Sequence, residues 1–344
     1  MRIRSFAAYV ALACLVFLID WLPIARGKTP VTVAQEKSDQ PKVSVGEQKA
    51  AEAITSAPDP AAKLKAGAAF IKKYPKSTLR ARVAQALANE IAAVKDGAQK
   101  ISLSQEYQGI FKEPSDQELI VPILIDGYRD ANRFDEAFAA GAEFLKSNPD
   151  SLRVLVKLMM MGTDQAKQRN GKFIEVSLQY GTHAIQLIEA KKIPPGMDDV
   201  TWKFFETNLA AMYQSMGILN LVKGDRVEAR VRLTKATELA PNDAFNYLLL
   251  LDLIDSEYQE AAKHYQSMPS SKAKNDEYPK VMAALDKVID TLARAIALSE
   301  GNAQLQQARQ QSIKDLETYY KYRHNDSTEG MQQLIDKYKV TAKP

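Results

Sequence analysis

The sequence predicts an all-α chain built from stacked helix hairpins, and three observations carry that prediction. Helix-forming residues dominate long segments while 15 glycines are spread over 344 residues, and no window alternates apolar and polar positions as a half-buried strand would. Apolar residues recur at three- and four-residue spacing between proline, glycine and asparagine punctuation. The stretch Ala66–Ser77, AGAAFIKKYPKS, returns as Ala140–Ser151, AGAEFLKSNPDS. That offset fits about two hairpin repeats of roughly 34 residues each. A stack of hairpins offers an extended surface for partners and not, as a rule, a deep pocket for chemistry.

The N-terminus is read first. Arg2 and Arg4 precede the uncharged run 5–19, which Asp20 stops, and Ala25-Arg26-Gly27 follows. A basic start, a short apolar run and a small-x-small ending describe a secretory signal peptide in 1–27, cut after Gly27. An uncleaved membrane anchor is the alternative, with Trp21 at the interface. Lipidation of Cys14 is a third reading, against which the apolar run continues past the cysteine. All three readings expect an exported body, periplasmic or anchored to the inner membrane, with membrane contact only through this segment. Residues 28–46 read as a flexible linker.

The body, 47–344, divides at its breakers. Glu47–Ala57 is expected as a helix ending at Pro58-Asp59-Pro60, followed by Ala61–Tyr74 up to Pro75. Leu79–Val94 and Ser102–Phe111 come next, separated by Asp96-Gly97. Leu119–Asp130 and Glu136–Lys146 form a clearer hairpin, turned at Asn132–Asp135 and closed by Asn148-Pro149-Asp150. Two longer helices, Ser151–Arg169 and Phe173–Lys191, lead to the break Pro194-Pro195-Gly196. Val200–Gly217 is expected as one long helix. Ala244–Ile254 and Tyr258–Met268 are expected as a hairpin, and Pro269–Asn275 as a polar loop. Val281–Leu298, Ala303–Arg323 and Thr328–Tyr338 complete the chain, with atypical capping helices from about residue 278.

Three windows share one pattern of small and large residues. In Ala210–Asn242, Gly217 is a first-helix glycine, Ala229, Leu233 and Ala236 line the second helix, and Pro241 closes the unit. In the register set by Pro149, Tyr128 stands at a first-helix aromatic position and Ala137 at a close-packed second-helix alanine. Gly141 and Phe144 exchange a small and a large position, and Gly67 and Phe70 repeat that exchange before Pro75. On these residues the chain resembles the tetratricopeptide repeat family. The resemblance implies a right-handed superhelical solenoid of about six to eight antiparallel helix hairpins, with first helices lining a concave surface. It places Asp126, Arg129, Gln214, Ser215, Ile218 and Leu221 in a partner-binding groove. The basic and asparagine set of carboxylate-clamping repeats is missing from these positions. Phe70–Ser77 is also similar to hairpin ends in bacterial outer-membrane assembly lipoproteins of this repeat class.

Signatures of chemistry are sparse. Lys and Arg number 46 against 42 Asp and Glu, a formal charge of +4, which gives no reason to expect nucleic acid. His183, His264 and His324 have no histidine or cysteine neighbours at metal-ligand spacing, and Cys14 is the sole cysteine. No Gly-rich phosphate loop or nucleophile elbow occurs. Met159-Met160-Met161 is expected to put two methionines into a core, and Tyr319, Tyr320 and Tyr322 to pack with wet hydroxyls. Catalytic residues, cofactor and metal ligands are therefore expected to be none. The expected function is a non-catalytic protein–protein interaction scaffold of the cell envelope that binds a peptide or partner protein. The alternative is an enzyme or enzyme subunit with a site in the central helices 151–191.

Overall fold

The computed structural model describes residues 43–339, so the expected signal or anchor, Cys14 and most of the expected linker lie outside the described residues. Those described are all-α: fifteen α-helices and two short 3-10 turns, without a strand. Contacts divide them into two units, residues 43–161 with 193–197, and residues 162–192 with 198–339.

In the first unit the helices are α1 (Val45–Thr55), α2 (Pro60–Lys73), α3 (Arg80–Ala92), α4 (Gly97–Ile110), α5 (Pro114–Asp130) and α6 (Phe134–Ser147). The greater part of α7 (Leu152–Lys167) follows. Side chains cap most starts. Ser44 and Glu47 form a reciprocal capping box, Asp59 accepts from the Ala62 amide ahead of Pro60, and Asp96 accepts from the Gln99 amide. These caps explain two boundaries that apolar periodicity misplaces. The Asp96 cap starts α4 at Gly97 and not Ser102. Pro114 in the first turn and the Glu113–Asp116 reciprocal bonds start α5 five residues ahead of Leu119.

Pairings across helices give the direction of each. Lys100, early in α4, reaches Asp130 at the end of α5, so these two are antiparallel. Arg80 at the start of α3 meets Asp116 near the start of α5. Glu118 and Asp126 of α5 meet Ser151, just ahead of α7, and Lys157 within it, in the same order. Neighbours in sequence thus run antiparallel, and helices two apart run parallel and touch. Leu64, Phe70, Leu87, Ile91, Tyr107, Phe111 and Ile120 fill the core beneath them. Phe70 is buried at 1 % exposure, whereas Phe144 is half-buried, so the two copies of the repeat share a sequence pattern without sharing an environment.

The second unit carries α8 (Ile174–Glu189), α9 (Asp199–Thr207), α10 (Leu209–Lys223), α11 (Arg226–Leu239), α12 (Ala244–Ser267), α13 (Lys272–Leu298), α14 (Gln306–Arg323) and α15 (Met331–Asp336). Gly224, at φ +90°, ends α10 in the left-handed conformation that glycine adopts most easily. Leu233 of α11 packs over Gly217 of α10, where a Cβ would stand 2.6 Å from its Cγ.

In the second unit, three further elements differ from the sequence expectation. Val200–Gly217 is not one helix: Asn208, at φ −96° and ψ 11°, interrupts it, and its side-chain amide donates at 2.8 Å to the Phe204 carbonyl that its own backbone N–H also reaches. The expected hairpin in 244–268 is one helix, α12. Asp255-Ser256-Glu257 holds no glycine or proline, and its polar groups are engaged. Ser256 donates to the Asp252 carbonyl, Arg226 reaches Asp252 and Ser256, and Asp255 accepts from Tyr319. The expected loop 269–275 is largely helical, because Ser271 caps α13 through the Lys274 amide. That helix continues past Pro279, whose missing hydrogen bond lies on a solvated face.

Candidate binding surfaces

In the first unit, Asp126 and Arg129 stand on the last turns of α5, one turn apart. They are part of a five-member charge network. Lys157 Nζ lies 2.5 Å from Asp126 Oδ2, and Lys100 Nζ lies 2.5 Å from Asp130 Oδ2. Arg129 bridges the two carboxylates, with Nη1 3.1 Å from Asp126 Oδ1 and Nη2 3.0 Å from Asp130 Oδ1. Three cations therefore surround two carboxylates. Lys100 and Lys157 are largely covered, while the Arg129 side chain is 42 % exposed and presents the network to solvent.

The environment tunes these groups. Burial pushes the Lys157 ammonium below the ordinary lysine value, against the attraction of Asp126. For Asp130 burial acts upward, but the hydrogen bonds and charges of Lys100 and Arg129 outweigh it, and its carboxyl is held below the usual range. About two turns before Asp126 on α5, burial raises the Glu118 carboxyl, in spite of the hydrogen bond it accepts from Ser151.

In the second unit, half-buried Gln214 donates to Asn246 Oδ1 at 2.7 Å and to Asp243 Oδ2 at 3.2 Å, joining α10 to the start of α12. Ser215 and Ile218 do not line a groove. They are 4 % and 6 % exposed, because α8 and α11 both pack on α10 and leave it apolar nearly all round. Leu221 rests half-buried on the same core. Of the residues expected on α10, Gln214 and the edge of Leu221 remain for a partner. Lys100, Asp130 and Lys157 were not among the expected site residues. Their pairings span about 30 positions, and no local spacing marks them.

Most of the methionines and tyrosines singled out in the sequence lie in the interior. Met159 and Met161 are buried and Met160 is half-buried. Tyr319 and Tyr320 are buried with bonded hydroxyls, one on Asp255 and one on the Glu329 carbonyl, and not wet as expected; Tyr322 is exposed. His324 stacks on Tyr320 with centroids 4.0 Å apart. Among the described residues no group of three or more acidic, histidine or cysteine side chains is arranged to hold a metal, and no helix is long and apolar enough to cross a membrane. No protein-family model matches the chain, and no curated protein matches it in sequence.

Proposed function

We propose that this chain is a non-catalytic protein–protein interaction scaffold: an exported, tetratricopeptide-like solenoid that binds an extended peptide or a partner segment on its helical surface. The observation that carries the reading is the parallel contact between helices two apart in the first unit. A stack of antiparallel hairpins produces that contact, and it leaves the last turns of α5, at Asp126 and Arg129, partly open to solvent. Preformed helix pairs lose little ordering entropy on binding, so even a modest set of contacts suffices. Arg129, oriented by two carboxylates, offers a fixed guanidinium to a peptide carboxylate or carbonyl. Exported placement rests on the N-terminal sequence alone.

The test is binding to an array of extended peptides, with the full chain and with Arg129→Glu. The charge reversal is expected to abolish capture of acidic peptides while leaving the helical circular-dichroism spectrum unchanged. Equal capture by both chains would remove the surface from consideration.

Lys157 favours a second reading, an enzyme with a site in the central helices. It is a desolvated lysine near the cations Arg129 and Lys100; desolvation and both cations favour the neutral, nucleophilic amine, while its ion pair with Asp126 works the other way. An amine-directed acylating probe that labels Lys157 faster than the exposed lysines would support that reading; slower labelling would reject it.

A further inference from the structure

The last described residues of the second unit occupy a ledge on α13. Helix α15 has six residues, too few to hold its shape in water without tertiary contacts. Ile335 anchors it in the core, with Met331, Leu334 and Tyr338 packed alongside. The turn before it is tight: Asn325, Asp326 and Gly330 all have positive φ, and the Tyr320 hydroxyl donates to the Glu329 carbonyl at 2.8 Å.

Beyond α15 the contacts become chemically specific. Asp290 and Arg294, one turn apart on α13, form a fork in which Arg294 Nε donates to Asp290 Oδ2 at 2.9 Å. The Tyr338 hydroxyl donates to the other oxygen of Asp290. The Arg294 guanidinium lies over the Tyr338 ring, 4.2 Å from its centroid. One residue on, Lys339 Nζ is 3.1 Å from Glu300 Oε2. A phenol acceptor, a cation for the ring and a carboxylate for an ammonium thus follow one another along the ledge.

We propose that Asp290, Arg294 and Glu300 form a recognition site for a peptide bearing tyrosine followed directly by lysine, which Tyr338-Lys339 fills in cis. A tethered ligand acts at an effective concentration in the millimolar range, so the site stays closed to free peptide until the tether's side chains are removed or outcompeted. The site is separate from the Arg129 surface, and its failure leaves the reading of that surface intact.

The test uses the full chain carrying Tyr338→Ala and Lys339→Ala, and a fluorescent octapeptide of residues 337–344, KYKVTAKP. The double variant is expected to bind this probe at least tenfold more tightly than the unaltered chain. Adding Asp290→Asn, or separately the half-exposed Glu300→Gln, is expected to weaken binding again by at least fivefold. A probe with alanine in place of tyrosine and lysine is expected not to bind. The proposal is overturned if the double variant binds no probe, binds both probes alike, or binds no better than the unaltered chain.

Discussion

Gly97 and Gly127 bring α4 and α5 backbone to backbone. A Cβ on Gly97 would stand 2.7 Å from the Ala131 amide nitrogen and 2.9 Å from the Gly127 carbonyl oxygen. Main chain cannot rotate out of the way, so Gly97→Ala is expected to destabilise the protein by about 1–3 kcal/mol. Gly67→Ala meets a methyl of Leu87, which can turn aside, and is expected to cost less. Urea unfolding of both variants checks the order; equal midpoints would contradict the close approach.

Asp116 is nearly fully buried and receives both guanidinium nitrogens of Arg80, at 2.5 and 3.2 Å. Asp116→Ala leaves that guanidinium without its main partner and removes a cap from the Glu113 amide. A loss of about 3–5 kcal/mol is expected, as for other broken buried pairs. Glu143→Ala, which breaks the exposed pair with Lys146, is expected to leave the melting curve unmoved. Calorimetry of the two variants compares them directly.

The continuity of α12 can be checked with one proline. Ser256→Pro removes a helical hydrogen bond from the middle of a 24-residue helix and is expected to cost about 3 kcal/mol or more. Were residues 255–257 a turn between two helices, the same change would be nearly neutral in thermal melts.

Asp130 gives the first unit a pH dependence. Its folded carboxyl titrates below the ordinary aspartate value of about 3.9, so its stabilising contribution is complete above that value and is lost as pH falls through the lower folded value. Asp130→Asn is expected to lower the melting temperature at neutral pH and to flatten its decline below about pH 4. An unchanged acid profile would show that Lys100 and Arg129 do not hold the charge.

Much of the fold was legible in the sequence because its signals are local. Pro75, Pro149 and Pro241 mark helix ends, and Gly217 and Gly141 each accept a leucine from the following helix, Leu233 and Leu158. Boundaries failed where a cap or a cross-helix bond outweighed periodicity: Asp96 and Ser271 start helices early, Asn208 splits one, and Arg226 with Tyr319 keeps another whole. The candidate surface was legible only as far as Asp126, Arg129 and Gln214. Nothing in the local pattern of α10 distinguishes Ser215, which faces the interior, from Gln214, its neighbour one residue away. That depends on which helices cover α10. The network that fixes Arg129 joins residues about 30 positions apart, and only folding brings them together.

The most direct test of the scaffold reading is to measure the affinity of a peptide selected from the array for the full chain, for Arg129→Glu and for Lys157→Met. At least a tenfold loss is expected with Arg129→Glu, and loss or weakening with Lys157→Met through misplacement of Asp126, each without turnover of the peptide. Unchanged affinity in both variants, or conversion of the peptide into product that Lys157→Met abolishes, would contradict it.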